Sequence, residues 1–255
     1  MSPLVLLAFA LAGLMIGSFL NVCIYRLPRR ESIVWPASHC TTCNRRLAWF
    51  ENVPVISWLV LRGRCRTCDS RISVIYPLVE LTTAVVFAGG VLVYGLSPLL
   101  FVRLVFACSL IVLFVIDLQH QILPNAITLP GIAAGFLASL FLPPGWLSSL
   151  IGILAGGGIL FALAEAYYRL RGIEGLGMGD VKMLAMIGAV LGWPLMVLTL
   201  VLASFVGSVV GVGMMALGRG GMQAALPFGT FLALGALVAA VAGDPILSWY
   251  LSFYR

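Results

Sequence analysis

"GLGMGDVKMLAMIGAVLGWPL", residues 175–195, decides how this chain is read. Three glycines in five residues run directly into Asp180, and Asp180 opens an apolar segment interrupted by Lys182. The preceding stretch, "AEAYYRLRGIE" at 164–174, closes another apolar run. A carboxylate so placed stands at a membrane boundary, where ionisable side chains are costly and mark function by default. Outward from it, 62% of the 255 residues are hydrophobic and 9% are charged, whereas soluble domains carry roughly 25% charged residues. Apolar runs near the length needed to cross hydrocarbon, about 20 residues, recur along the chain. The expected fold is all-α: a polytopic membrane helical bundle of about eight transmembrane helices with one small soluble insert.

The expected helices cover residues 3–24, 74–94, 99–118, 126–142, 148–168, 181–193, 195–217 and 227–250. The sixth is short, and "LGWPL" after it reads as a tight turn, because proline disfavours helix at the residue before it. The N-terminal segment "MSPLVLLAFALAGLMIGSFLNV" lacks a basic n-region and a small-residue cleavage site, so residues 1–25 are expected to stay as a first transmembrane helix. A net charge of +6 would suit nucleic acid. Basic residues beside spanning helices already follow from the positive-inside rule, however, and no nucleic-acid partner is expected.

If the first helix runs from outside to inside, Arg26, Arg29, Arg30, Arg45, Arg46, Arg62, Arg64, Arg66 and Arg71 share one cytoplasmic insert at 26–73. Arg169, Arg171, Lys182 and Arg219 fall on the same face, which leaves Arg103 and Arg255 for the other. The distribution, 13 of the 15 cationic side chains, sets the orientation and makes both termini periplasmic.

This threading puts Asp117, in "DLQHQILPN" at 117–125, at the cytoplasmic end of the third expected helix, and Asp180 at the start of the sixth. Helices of opposite direction bring the two to similar depth. Each has an ordinary explanation when taken alone: Asp180 as a helix N-cap, where aspartate is favoured, and Asp117 as an interfacial helix end. As a pair, two carboxylates sharing a proton can activate a water as general base and protonate a leaving amine as general acid, the aspartic-protease arrangement. Gly175, Gly177 and Gly179 permit backbone conformations closed to other residues, which would let an extended substrate approach Asp180. Gly177 and Gly179 are the expected backbone of this catalytic loop.

The insert carries Cys40, Cys43, Cys65 and Cys68, two C-x2-C pairs separated by 21 residues, close to a zinc-site spacing. Four thiolates satisfy tetrahedral zinc and leave no open position, so the expected ion is structural. Free or disulfide-bonded cysteines are the alternative, although disulfides are rare in a reducing cytoplasm. An insert of about 45 residues builds little core by itself, so metal would supply folding free energy. His39 is a substitute ligand by position, more simply a bystander, and Cys23 and Cys108 lie in apolar runs as packing residues.

Gly177-Met178-Gly179-Asp180 reads as the G-x-G-D motif of polytopic aspartic peptidases, and the chain resembles the type IV prepilin peptidases, or prepilin leader peptidases. The matching blocks are "GSFLNVCIYRLPR" at 17–29, "ENVPVISWLVLRGRC" at 51–65, "ISVIYPLVEL" at 72–81, "DLQHQILPNAITLP" at 117–130 and "PFGTFLALGAL" at 227–237. G-x-G-D alone is a weak signal; these blocks in this order are specific. The resemblance implies an inner-membrane enzyme that cuts the basic leader from prepilins or type II secretion pseudopilins on the cytoplasmic side. It further implies methylation of the new N-terminal amine from S-adenosylmethionine. It maps the catalytic aspartates onto Asp117 and Asp180, assigns residues 74–255 to the peptidase core, and suggests a methyltransferase role for the insert. The assembly machinery of a pilus or secretion system is the implied partner.

Glu80 and Glu165 fall on the cytoplasmic side and could line a polar cavity beside the aspartates, or equally snorkel or pair with arginine. Lys182 and Glu174 flank the Asp180 loop; Lys182 could tune it or be an ordinary boundary cation. Glu31, Glu51 and Glu174 could face a basic leader, as could anionic lipid headgroups. Asp69 reads as solvated, and Asp244 in "AGDPIL" as a turn or helix break. For the methyl donor, "GSFLN", Glu31, Gly63 and Arg64 are candidates by location, and the chain has no G-x-G-x-x-G signature in strand-helix context, so the cofactor residues stay unknown. A proton-coupled transporter using paired carboxylates, or a non-catalytic assembly factor, accounts for the acidic residues but not for the cysteine insert.

Overall fold

The computed structural model describes residues 2–172, 177–217 and 226–253. Glu174, Gly175, Arg219 and Arg255 lie outside the described residues. Helices follow in the order α1 (Pro3–Arg26), α2 (Ile56–Val60), α3 (Ile75–Tyr94), α4 (Pro98–His120), α5 (Asn125–Ser139), α6 (Trp146–Arg171), α7 (Met178–Leu191), α8 (Trp193–Ala216) and α9 (Phe228–Ser252). Every helix expected from the apolar runs is present, and α2 is a short addition inside the insert. Six of them, α1, α3, α4, α6, α8 and α9, are long and apolar enough to cross a membrane. This is a multi-pass membrane protein. With 15 and 14 residues, α5 and α7 reach about 21–23 Å at 1.5 Å per residue, short of a hydrocarbon core of about 30 Å.

The chain forms two compact units, Met1–Val112 and Leu113–Arg255, with the division falling inside α4. In the first, α1 packs along α3 through Gly13 and Gly17, a small-xxx-small pair that lets backbones approach. A methyl group at Gly13 would stand 2.7 Å from Ala84 Cα, and one at Gly17 2.7 Å from Glu80 Cα. Leu4, Leu7 and Leu11 on α1 stay exposed, as the lipid-facing side of a spanning helix requires. Phe87, Val91, Leu100 and Leu104 form a buried cluster between α3 and α4.

The second unit is built around α7. Residues Val181 and Met183–Leu191 are all buried, because α5, α6, α8 and α9 surround the helix. Gly152 of α6 meets Gly188 of α7 in backbone contact, and Ser149 Oγ donates to Ala189 O at 2.8 Å. Gly152 and Gly156 of α6 both lie against the α7 backbone, at Gly188 and Leu184. Gly192 makes the turn from α7 into α8 with φ +81°, and Pro194 sits in the first turn of α8. The break expected at Asp244 is absent: α9 runs continuously through Pro245. A proline inside a helix removes one amide hydrogen bond and tends to kink it, without necessarily ending it.

Candidate active site and metal centre

Asp117 lies near the C-terminal end of α4 and is 4% exposed. Its Oδ2 accepts two hydrogen bonds from one residue, Thr230 N–H at 2.7 Å and Thr230 Oγ1 at 3.0 Å. Thr230 belongs to the first turn of α9, whose amides have no intrahelical acceptor; a carboxylate there is also favoured by the helix dipole. Gly229 makes the approach possible. A methyl group at that position would stand 3.0 Å from Asp117 Oδ2 and 2.9 Å from Leu123 Cδ1.

Asp180 occupies the first turn of α7, whose N-cap is Gly177. The aspartate is thus the third helical residue and not the N-cap, and its carboxylate accepts the Gly177 N–H, the backward reach of a capping box. Leu123 links the surroundings of the two aspartates, since a methyl group at Gly179 would stand 2.9 Å from Leu123 Cβ. The glycines here supply room more than conformational freedom: Gly177 has φ −75° and ψ 142°, extended backbone open to other residues, whereas Gly179 has no space for a side chain.

In the insert, the four Sγ atoms of Cys40, Cys43, Cys65 and Cys68 lie within 4.8 Å of one another, and Cys40 Sγ is 3.8 Å from Cys68 Sγ. A tetrahedron of thiolates about 2.3 Å from a central ion has edges of about 3.8 Å, so the donor set fits a metal. All four cysteines are free in this arrangement. The two halves repeat one turn. Asn44 N–H donates to Cys40 O at 2.9 Å and Asp69 N–H to Cys65 O at 3.0 Å, with φ of +56° at Asn44 and +57° at Asp69, a conformation that Asn and Asp tolerate. The Cys43 amide holds the Cys40 thiol down to about 6 and Ser70 lowers that of Cys68, whereas Cys43 in the same cluster is pushed up to about 11. His39 hydrogen-bonds Ala37 O and takes no part in the cluster.

Comparison with known proteins extends this picture along almost the whole chain. The bacterial peptidase A24 N-terminal domain matches residues 11–94, and the type IV leader peptidase family matches residues 104–212. A relative from Aeromonas salmonicida (strain A449) is 39% identical across 95% of this chain and 92% of its own length. The chain belongs to the type IV leader peptidase family. A Pseudomonas putida relative of this leader peptidase is 38% identical over 92% of the chain and 89% of its own length. One from Pseudomonas aeruginosa is 34% identical over 95% and 92%. Each of the three is named prepilin leader peptidase/N-methyltransferase. No solved structure matches the chain at a significant level.

Several other polar residues of this leader peptidase have partners among the described residues. Glu165 pairs with Arg169 on the exposed face of α6 at 2.7 Å, the arginine pairing foreseen as an alternative. Lys182 donates to Asn125 Oδ1 at 2.9 Å. Glu51 is buried and bound by Arg45 at 2.7 and 3.1 Å; that pairing holds its carboxyl below the usual range and takes it away from leader recognition. Asp69 pairs with Arg64 in the open. Glu80 is buried in the first unit, where Oε2 accepts Val55 N–H at 2.7 Å. Val55 has φ +60°, a true outlier for a β-branched residue, so Glu80 holds a strained turn. The sequence reading missed Thr230, Gly229, Leu123 and Arg26. Arg26 is 4% exposed and donates to Ser32 O and Pro36 O, folding the start of the insert. The block "PFGTFLALGAL" was the available signal for Thr230.

Proposed function

We propose that this chain is a membrane aspartic endopeptidase that removes the leader of type IV prepilins or type II secretion pseudopilins and N-methylates the exposed amine. The observation that carries the reading is Asp117: a buried carboxylate anchored through Oδ2 by Thr230, with Gly229 of that anchor and Gly179 beside Asp180 both facing Leu123. With Oδ2 occupied, Oδ1 is the oxygen turned to a water. The two carboxylates share one proton between them, take a proton from the attacking water, and return one to the leaving amine as the peptide C–N bond breaks. Desolvation of the pair strengthens each of these interactions.

The client's apolar helix lies in the bilayer against the bundle, which leaves the cut site at the cytoplasmic rim. The inner membrane is the location, with both termini periplasmic, and pilus or secretion machinery takes the product. The cysteine cluster holds zinc in a structural role. S-adenosylmethionine, when bound, supplies an electrophilic methyl group; residues 26–73 are the segment assigned to its use, and residues 74–255 carry the peptidase.

Asp117→Asn and Asp180→Asn in full-length protein, assayed on a prepilin in liposomes, test the reading. Loss of a general acid or base costs typically 10²–10⁴-fold, and both variants are expected to fall at least that far with helix content unchanged. Cleavage at the wild-type rate by either one ends the dyad.

A further inference from the structure

Beneath the insert, the first unit encloses a cavity of about 380 Å³, within the roughly 300–1,000 Å³ of small-molecule sites. Its wall holds three buried charges, Arg26, Glu51 and Glu80. Two of them are matched: Arg26 by the Ser32 and Pro36 carbonyls, Glu51 by Arg45. Glu80 is different. It accepts the Val55 N–H and a Ser18 hydrogen bond, and none of the ion pairs found among the described residues includes it. A buried carboxylate without a cation is costly unless it takes up a proton or a ligand supplies the cation.

The same wall includes the aromatic residues Trp58 and Tyr76, and Tyr25, one face of which is covered by the Arg29 guanidinium at 3.9 Å. Trp58 is fixed in place: Nε1 donates to Ile72 O at 3.2 Å, and a methyl group at Gly63, whose φ is +64°, would stand 2.9 Å from its ring. Aromatic faces attract cations and stack on nucleobases. Arg66 and Arg71, both exposed, complete the lining and suit a carboxylate. A ligand with a flat base, a cationic centre and a carboxylate matches all three features.

We infer that this cavity is the S-adenosylmethionine site, with the Glu80 carboxylate facing the sulfonium and the aromatic residues receiving the adenine. The assignment rests on the methyltransferase reading above and adds the place and the residues. It also gives the α1–α3 glycine contact a purpose, since Gly17 abuts Glu80 Cα and so sets the depth of the carboxylate.

Calorimetry on purified full-length protein in detergent, titrated with S-adenosylmethionine and with S-adenosylhomocysteine, tests it. Glu80→Gln is expected to weaken S-adenosylmethionine at least tenfold and the neutral thioether several-fold less. Because Glu80 also holds Val55, a second readout keeps the test independent of that variant's folding. Tritiated S-adenosylmethionine, photo-crosslinked to the wild type, is expected to label fragments containing Trp58 or Tyr76. Label confined to residues after 112, or wild-type affinity in Glu80→Gln, overturns the site while leaving the methyltransferase reading intact. Wild type that binds no S-adenosylmethionine and transfers no methyl group overturns both.

Discussion

Thr230→Val is the substitution that most directly weighs the Asp117 anchor. Valine keeps the shape of threonine and the backbone N–H at 2.7 Å from Oδ2, and removes the hydroxyl at 3.0 Å. The hydroxyl's longer contact to Phe114 O, 3.5 Å, contributes little by comparison. A hydrogen bond to a charged group is worth about 1.5–3 kcal/mol. With tenfold in rate for each 1.36 kcal/mol, the loss amounts to about 10- to 150-fold if the bond is needed at the transition state. Asp117 is buried, so water cannot readily replace the donor. The assay is steady-state cleavage of a prepilin in liposomes by Thr230→Val and Thr230→Ser. The expected result is a fall in kcat for valine with KM nearly unchanged, because the lost hydroxyl faces Asp117 Oδ2, and recovery close to wild type for serine. A valine variant within twofold of wild type refutes the anchor. So does a serine variant as impaired as valine, which would make the role one of packing.

Further outcomes follow from the packing and the insert. Gly17→Val, which crowds Glu80 Cα, is expected to lower the thermal midpoint by overpacking worth about 1–3 kcal/mol and to lower methylation more than cleavage; calorimetry and the two activity assays report both. Gly188→Ala, which forces apart the α6–α7 backbone contact, is expected to destabilise the second unit and cost cleavage, read as lost activity with raised protease sensitivity of α6. Cys40→Ser is expected to reduce bound zinc, measured by mass spectrometry of the purified protein, and to abolish methylation while cleavage persists. Retained metal in that variant would argue against four-thiolate ligation.

The helices were legible because lipid imposes a length and a composition that local sequence records directly. Asp117 and Asp180 are proposed as a pair for a related reason: alternating helix direction and the arginine bias give both an expected common depth without any knowledge of packing. The cysteine cluster followed from spacing, since each C-x2-C turn is a local structure. What escaped was set by contacts across the chain. Thr230 lies 113 residues from Asp117, and its hydroxyl has no meaning until α9 is laid against the end of α4. For Glu80 the sequence leaves a cavity beside the aspartates and an interfacial pairing equally open, and its neighbours Val55 and Gly17 put it in the wall of the first unit's cavity. Gly179 was read for its backbone freedom, and the need proved to be room for Leu123. Sequence thus determined what the bilayer and the chain's short-range stereochemistry dictate, the spans and the turns that gather four cysteines, while orientation and the level of the two acidic residues follow from it as expectations. Only the tertiary structure decided which oxygen of Asp117 is held, which carboxylate is left without a cation, and where a glycine is obligatory, because those depend on distances between surfaces that no local pattern encodes.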